Sequence, residues 1–260
     1  MGFDLNEILI LIASLLSASK QRIAQMPYLE YKGNLFASQA QCLVNTVNCV
    51  GVMGKGVALE FRRRFPRMFE EYRRICEAGT LRPGQIWPYR KGHPWVLNFA
   101  VKVDWKHPSR IEWVESCLTK FVANYRKLEI RSVAMPWLGA MNGRLEWEQV
   151  HSLICSYLRE LPEVSIELVE FDPHAHDPLF DKLVSEAERS TCEDFRRQAD
   201  LTESAATLIL SAVRNRRVNS LSEICSLEGL GKKTIDNLYS FLVGSKVAVQ
   251  VPSLSQPVFL

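Results

Sequence analysis

Glycines at 51, 54 and 56 follow an apolar run that carries Asn45 and Asn48, a spacing suited to holding phosphate. Residues 42–47 are apolar and β-branched and read as a buried strand, while Val57, Ala58, Leu59 and Phe61 read as the opening of a helix. Glycines between a strand and a helix let the backbone approach a ligand closely, and the unpaired N–H groups of the helix end attract anions. An ordinary strand-to-helix turn has the same local appearance. A second glycine-bearing loop spans residues 137–145, with Gly139 and Gly143, directly after the strand predicted over 130–135.

The elements around these loops alternate. Strands are predicted over 28–31, 42–47, 85–89, 95–101, 130–135 and 165–171, with helices over 57–77, 110–127 and 146–160. Pro66 interrupts the first of these helices, so two pieces meeting near Arg64 are expected. The order argues a three-layer α/β domain with a mixed, mostly parallel sheet. Ligands in such sheets sit outside the strand C-terminal ends, where both glycine loops lie, so each loop can form one wall of a single cleft. Arg62, Arg63, Arg64, Arg67, Arg73 and Arg74 make one side of the 57–77 segment strongly basic, either a solvated face or a nucleic-acid contact.

The run Asp172-Pro173-His174-Ala175-His176-Asp177-Pro178 is the clearest boundary, and beyond it the periodicity is helical only. Helices are predicted over 179–198, 202–214, 220–225 and 231–242. The expected organisation is an N-terminal helical extension over 1–26, an α/β domain over 27–173, a small all-α domain over 178–246 and a tail over 247–260.

An apolar content of 47% and a charged content of 23% in 260 residues describe a soluble globular chain, and a net charge of +3 is too small to demand a polyanionic partner. The seven cysteines, Cys42, Cys49, Cys76, Cys117, Cys155, Cys192 and Cys225, include no C-x-x-C pair, so neither a disulfide framework nor a zinc site is expected. They suit a reducing, cytoplasmic setting. The apolar run at 8–16 is preceded by Asp4 and Glu7 and is too short to span a bilayer, so residues 4–20 are expected to form a packing helix, with no membrane partner. Asn6 stands where a myristoylation signal wants Ser or Thr.

Four segments together resemble the macrodomain superfamily, and within it the DNA ADP-ribosyl glycohydrolase antitoxins called DarG and the related terminal ADP-ribose protein glycohydrolases. They are GNLF at 33–36, VNTVNCVGVMGKGVALEF at 44–61, NFAVK at 98–102 with Trp105 just beyond, and PWLGAMNGRLEW at 136–147. The resemblance implies ADP-ribose across the two loops, contacted by Asn34, Leu35, Asn48, Val52, Met53, Gly54, Lys55, Gly56, Val57, Gly139, Ala140, Met141, Asn142, Gly143 and Arg144. It gives Asn48 the distal ribose, while Asn45 is expected to brace the loop. It places the catalytic group at Lys102, which would attack or electrostatically stabilise the anomeric carbon as the glycosidic bond opens. Burial would lower the pKa of this lysine and a diphosphate would raise it.

The chain departs from the family pattern at three places. Asn34 replaces the usual aspartate, although its carbonyl oxygen can still accept from an adenine amino group. Met141 and Arg144 stand where DarG loops carry glycines. Gly143 stands where the protein-directed relatives place a catalytic aspartate, which favours a DNA substrate. The implied function is removal of ADP-ribose from a DNA base, thymine by family analogy, as antidote to a DarT-type DNA ADP-ribosyltransferase, with no metal or other cofactor required. The rival readings are a non-catalytic ADP-ribose reader tethered to DNA, and an antitoxin that sequesters a DarT-like toxin.

In the C-terminal part, Leu227-Glu228-Gly229-Leu230-Gly231-Lys232-Lys233-Thr234 resembles the hairpin of a helix-hairpin-helix module. Gly229 and Gly231 would expose amides and Lys232 and Lys233 would add charge, meeting a DNA phosphate without reading the base. Protein–protein contact is the alternative.

Overall fold

The structure, a computed structural model, describes residues 28–244 and 258–260. The helix expected over 4–20, the extension over 1–26 and tail residues 247–257 lie outside the described residues.

One six-stranded sheet runs in the order β1-β6-β5-β2-β4-β3, built from β1 (Tyr28–Gly33), β2 (Cys42–Val47), β3 (Ile86–Tyr89), β4 (Trp95–Ala100), β5 (Ser132–Pro136) and β6 (Ser165–Phe171). All neighbours are parallel except β3, which pairs antiparallel with β4 at one edge. Central strands β2 and β4 are covered on both faces, which is why they read as mostly apolar runs, interrupted by the buried Asn45 and Asn98 and by Thr46. Edge strand β3 exchanges backbone hydrogen bonds with Leu260, so the last residues of the tail, unreadable from sequence, extend that edge.

Helices α1 (Gly56–Arg64) and α2 (Pro66–Glu77) cover one sheet face with Phe61, Met68, Tyr72 and Ile75, and α3 (Ile111–Asn124) and α4 (Trp147–Leu158) cover the other with Val114, Leu118, Phe121, Val150 and Ile154. Pro66 opens α2 where its missing N–H costs nothing, and the break falls where expected. After β2 the chain moves to β3 at one edge and returns through β4 on that same side, whereas after β5 it moves to β6 on the other. The junction of β2 and β5 is therefore a topological switch point, and both glycine loops leave from it.

The C-terminal domain has its own core of Leu183, Phe195, Ile209, Leu221, Leu238 and Leu242. It comprises α5 (Pro178–Arg189), α6 (Cys192–Gln198), α7 (Glu203–Arg214), α8 (Leu221–Cys225) and α9 (Lys232–Val243). The single helix expected over 179–198 is two, because Ser190 turns extended and Thr191 caps α6 by accepting from the Asp194 N–H.

The basic side of α1 is neither a solvated face nor a free nucleic-acid surface. Arg62 and Arg63 pair with Asp236 of α9, at 2.7 and 2.9 Å. Arg64 forms a bidentate pair with Asp177, at 3.1 and 2.6 Å, and its guanidinium lies 4.3 Å from the centre of the Phe36 ring. Tyr239 of α9 donates to Glu60 at 2.7 Å. Helix α1 therefore faces the glycine loops with its N-terminus and the helical domain with its C-terminal half. Among the described residues, no helix is long and apolar enough to cross a membrane.

Candidate active site

At the C-terminal end of β2, backbone positions demand the glycines. Gly51 and Gly56 have φ of +79° and +57°, in the left-handed region where other residues are strained. Lys55 caps α1 in an extended conformation without a side-chain hydrogen bond, so the first-turn amides of α1 are open to an anion. Asn48 organises the loop: its Oδ1 accepts from the Val50 and Val52 N–H groups at 3.0 and 3.3 Å, and its Nδ2 donates to the Val52 carbonyl at 2.5 Å. The Tyr72 hydroxyl, reaching up from α2, donates to the Asn48 backbone and side-chain oxygens at 2.7 and 3.1 Å. In this conformation the Asn48 side chain braces the loop from within.

Asn45 is fully buried and donates to Asn98 at 2.9 Å across the β2–β4 register, while Asn98 donates to the Trp87 carbonyl at 3.2 Å. The two asparagines tie β2, β4 and β3 together beneath the loop, which agrees with a bracing role for Asn45. Asn34 Oδ1 accepts from the Phe36 N–H at 3.0 Å, capping a short 3-10 turn over Leu35–Ala37. One lone pair of that oxygen is therefore already used, and Leu35 beside it is buried.

The second loop is tightly packed. Gly139 has φ +67°, and a Cβ built on Gly143 would lie 1.9 Å from the Gly139 carbonyl oxygen. No side chain fits at 143, so a carboxylate cannot occupy that place. The left-handed demand falls on Arg144, at φ +61°, and Met141 does not share it, its side chain standing 69% exposed. Ser109, which sequence reasoning missed, is buried beneath this loop and donates its N–H to the Gly143 carbonyl at 2.9 Å. Its only signal was a polar Pro-Ser-Arg step before α3. Ala140 is half-buried beside Gly139.

Lys102 joins the two loops. The segment after β4 continues alongside β2, with Val101 N–H to Val47 O at 3.1 Å and Cys49 N–H to Val103 O at 3.0 Å. This carries Lys102 to the mouth, where Nζ donates to the Asn142 carbonyl at 2.5 Å. The Asn142 side-chain amide in turn lies against Gly56, since a Cβ there would fall 2.4 Å from it. Burial, and then the nearby Arg144 charge, hold the Lys102 ammonium below its ordinary pKa. Met53 is buried under the first loop, while Val52, Gly54, Lys55 and Gly56 are exposed on it and Val57 is half-buried on α1.

The structure brings together the first loop, Lys102 and the second loop. It places Gly229, Gly231, Lys232 and Lys233 apart from them, on the α8–α9 hairpin. Gly229 has φ +91°, Gly231 caps α9 without a side-chain partner, and both lysines are exposed in the first turn.

A mixed sheet between helices, with two glycine loops and an anion-facing helix end at its switch point, defines an α/β ligand-binding domain. The Macro domain family model matches residues 44–154. The macrodomain of Mycobacterium tuberculosis DarG superposes with a TM-score of 0.54 and 37% identity, covering 55% of this chain and 97% of that one. Thermosipho africanus DarTG in complex with ADP-ribose superposes with a TM-score of 0.53 and 35% identity, over 57% of this chain and 43% of that one. A DNA ADP-ribosyl glycohydrolase of Thermus aquaticus is 44% identical over 151 residues, which is 56% of this chain and 42% of the relative. The chain belongs to the macrodomain family, and it spans less than half the length of that curated relative.

Proposed function

We propose that this chain is a hydrolase that removes ADP-ribose from a DNA base. The observation that carries the reading is the seat of Lys102: an amine of lowered pKa, at 2.5 Å from the second loop and opposite the anion-facing end of α1. With the diphosphate on the first loop, the amine sits at the rim where an anomeric carbon would lie. In the proposed step the neutral amine attacks that carbon and the glycosidic C–N bond breaks. The base leaves with the electron pair and takes up a proton. Opening of the ribose ring gives a lysyl imine, and water hydrolyses it to free ADP-ribose and the original amine.

The DNA ADP-ribosyl glycohydrolase activity of the Thermus aquaticus relative and the ADP-ribose bound to the Thermosipho africanus protein support this substrate class. The crowding at Gly143 supports it as well, because the loop has no room for the carboxylate that a protein-directed enzyme would use. We take thymine as the base by analogy, a DarT-like toxin as the source of the modification, and the cytoplasm as the compartment, which seven free cysteines suit. Gly229, Gly231, Lys232 and Lys233 are proposed to hold the adjoining DNA backbone.

The test is an oligonucleotide carrying ADP-ribose on one thymine, incubated with the full chain. Release of free ADP-ribose and recovery of the unmodified oligonucleotide are expected. Intact substrate after prolonged incubation, with ADP-ribose binding retained, would contradict hydrolysis.

A further inference from the structure

Away from the cleft, three residues of different chemistry converge between β1 and α4. His151 and Cys155, one turn apart on α4, face the same way. Glu30 meets them from β1, 121 residues earlier than His151. His151 Nε2 lies 2.9 Å from Glu30 Oε2 and 3.5 Å from Cys155 Sγ, and Cys155 Sγ lies 3.9 Å from Glu30 Oε1. Among the described residues, these three form a cluster whose ligand atoms all fall within 4.8 Å of one another. No close cysteine spacing marks this cluster in the sequence, because Glu30 arrives from β1 through sheet topology.

The distances match those of a filled coordination sphere. Zinc bonds of about 2.3 Å to sulfur and about 2.1 Å to nitrogen or oxygen, at tetrahedral angles, set S about 3.6 Å from both N and O, and N and O about 3.4 Å apart. Each observed separation is within about half an ångström of these values. One thiolate and one imidazole select a borderline-soft ion over calcium or magnesium, which take oxygen ligands. The site is reachable, since the Glu30 and His151 side chains are 36% and 32% exposed. The Arg159 guanidinium, 3.5 Å from Glu30, is 55% exposed and can turn outward when a cation enters. The His151 ring is oriented from behind by Trp147, at 5.2 Å between ring centres, which itself stacks on Trp137 at 3.8 Å.

We propose that Glu30, His151 and Cys155 bind one zinc ion, with water in the fourth position. Binding replaces the Glu30–His151 hydrogen bond with two metal bonds, and the Cys155 thiol releases its proton to solvent as the sulfur–metal bond forms. The ion pins the sheet-edge strand β1 to α4, the helix that follows the second glycine loop, and stabilises the fold by mass action. None of the three ligands touches the cleft, so the site is distinct from the hydrolytic one.

The test uses the full metal-free chain titrated with zinc chloride, followed by calorimetry and by the fluorescence of Trp147 beside His151. One zinc per chain is expected, together with a higher melting temperature. Affinity is expected to be at least about tenfold weaker in His151→Ala, Cys155→Ser and the near-isosteric Glu30→Gln. Cobalt chloride supplies a readout that needs no variant: a near-ultraviolet thiolate-to-cobalt band with the visible bands of tetrahedral cobalt. Absence of that band in the wild type would overturn the proposal. So would unchanged zinc affinity in folded Cys155→Ser.

Discussion

Lys102 Nζ and the Asn142 carbonyl oxygen, 2.5 Å apart, close the mouth of the cleft by joining the end of β4 to the second glycine loop. A ligand that reaches Lys102 must exchange with this bond, so the amine and the loop respond together to what is bound.

The first expected outcome concerns pH. Attack requires the unprotonated amine, and burial followed by the Arg144 charge lowers the Lys102 pKa. Arg144→Gln removes the second cause, so the pKa rises and less neutral amine is present at a given pH. The rising limb of the kcat profile then moves to higher pH, and the rate on that limb falls by about threefold or more. A limb that stays in place would separate Arg144 from the chemistry.

Gly143→Ala is expected to dislocate the second loop. Its Cβ would fall 1.9 Å from a backbone oxygen, which no rotamer change can relieve. Loss of ADP-ribose affinity by at least about tenfold is expected, with about 2 kcal/mol of stability lost and a melting point several degrees lower. Calorimetry and thermal unfolding check both.

The Arg64–Asp177 pair should hold the two domains together. Its members are 10% and 3% exposed, and Asp177 also caps α5 by accepting from the Leu179 N–H. Truncating Asp177 leaves the buried Arg64 with only the Glu60 carboxylate, 3.5 Å away, and removes the α5 cap, so Asp177→Ala is expected to cost about 2 kcal/mol. Limited proteolysis should then release a fragment beginning near residue 178, which the wild type resists.

These residues also mark how far the chain can be read without its fold. The strands were legible because β2 and β4 are buried on both faces. The loops were legible because positive φ at positions 51, 56 and 139 requires glycine. The run Arg62 to Arg64 marked α1 as basic, but the sequence cannot say which helix arrives there, so an internal interface read as a solvated face or a nucleic-acid contact. The α5–α6 break was hidden because Ser190 and Thr191 end a helix without proline or glycine. The hydrogen bonds of the Asn48 amide within its own loop were not legible, because they are set by the turn geometry of residues 50–52.

For the helical domain, Lys232→Ala with Lys233→Ala is expected to weaken binding of an unmodified duplex evenly across sequences. The slope of log affinity against log salt should shrink by about two. Equal slopes by fluorescence anisotropy at several salt concentrations would place DNA contact elsewhere.

The central claim is that Lys102 breaks the bond while the glycine loops bind. Its most direct test is single-turnover hydrolysis of the ADP-ribosylated oligonucleotide by wild type and by Lys102→Ala, with ADP-ribose affinity measured on both. The expected result is a rate lower by about a hundredfold or more in the variant, with affinity within about threefold of wild type. Equal rates in the two proteins would contradict it.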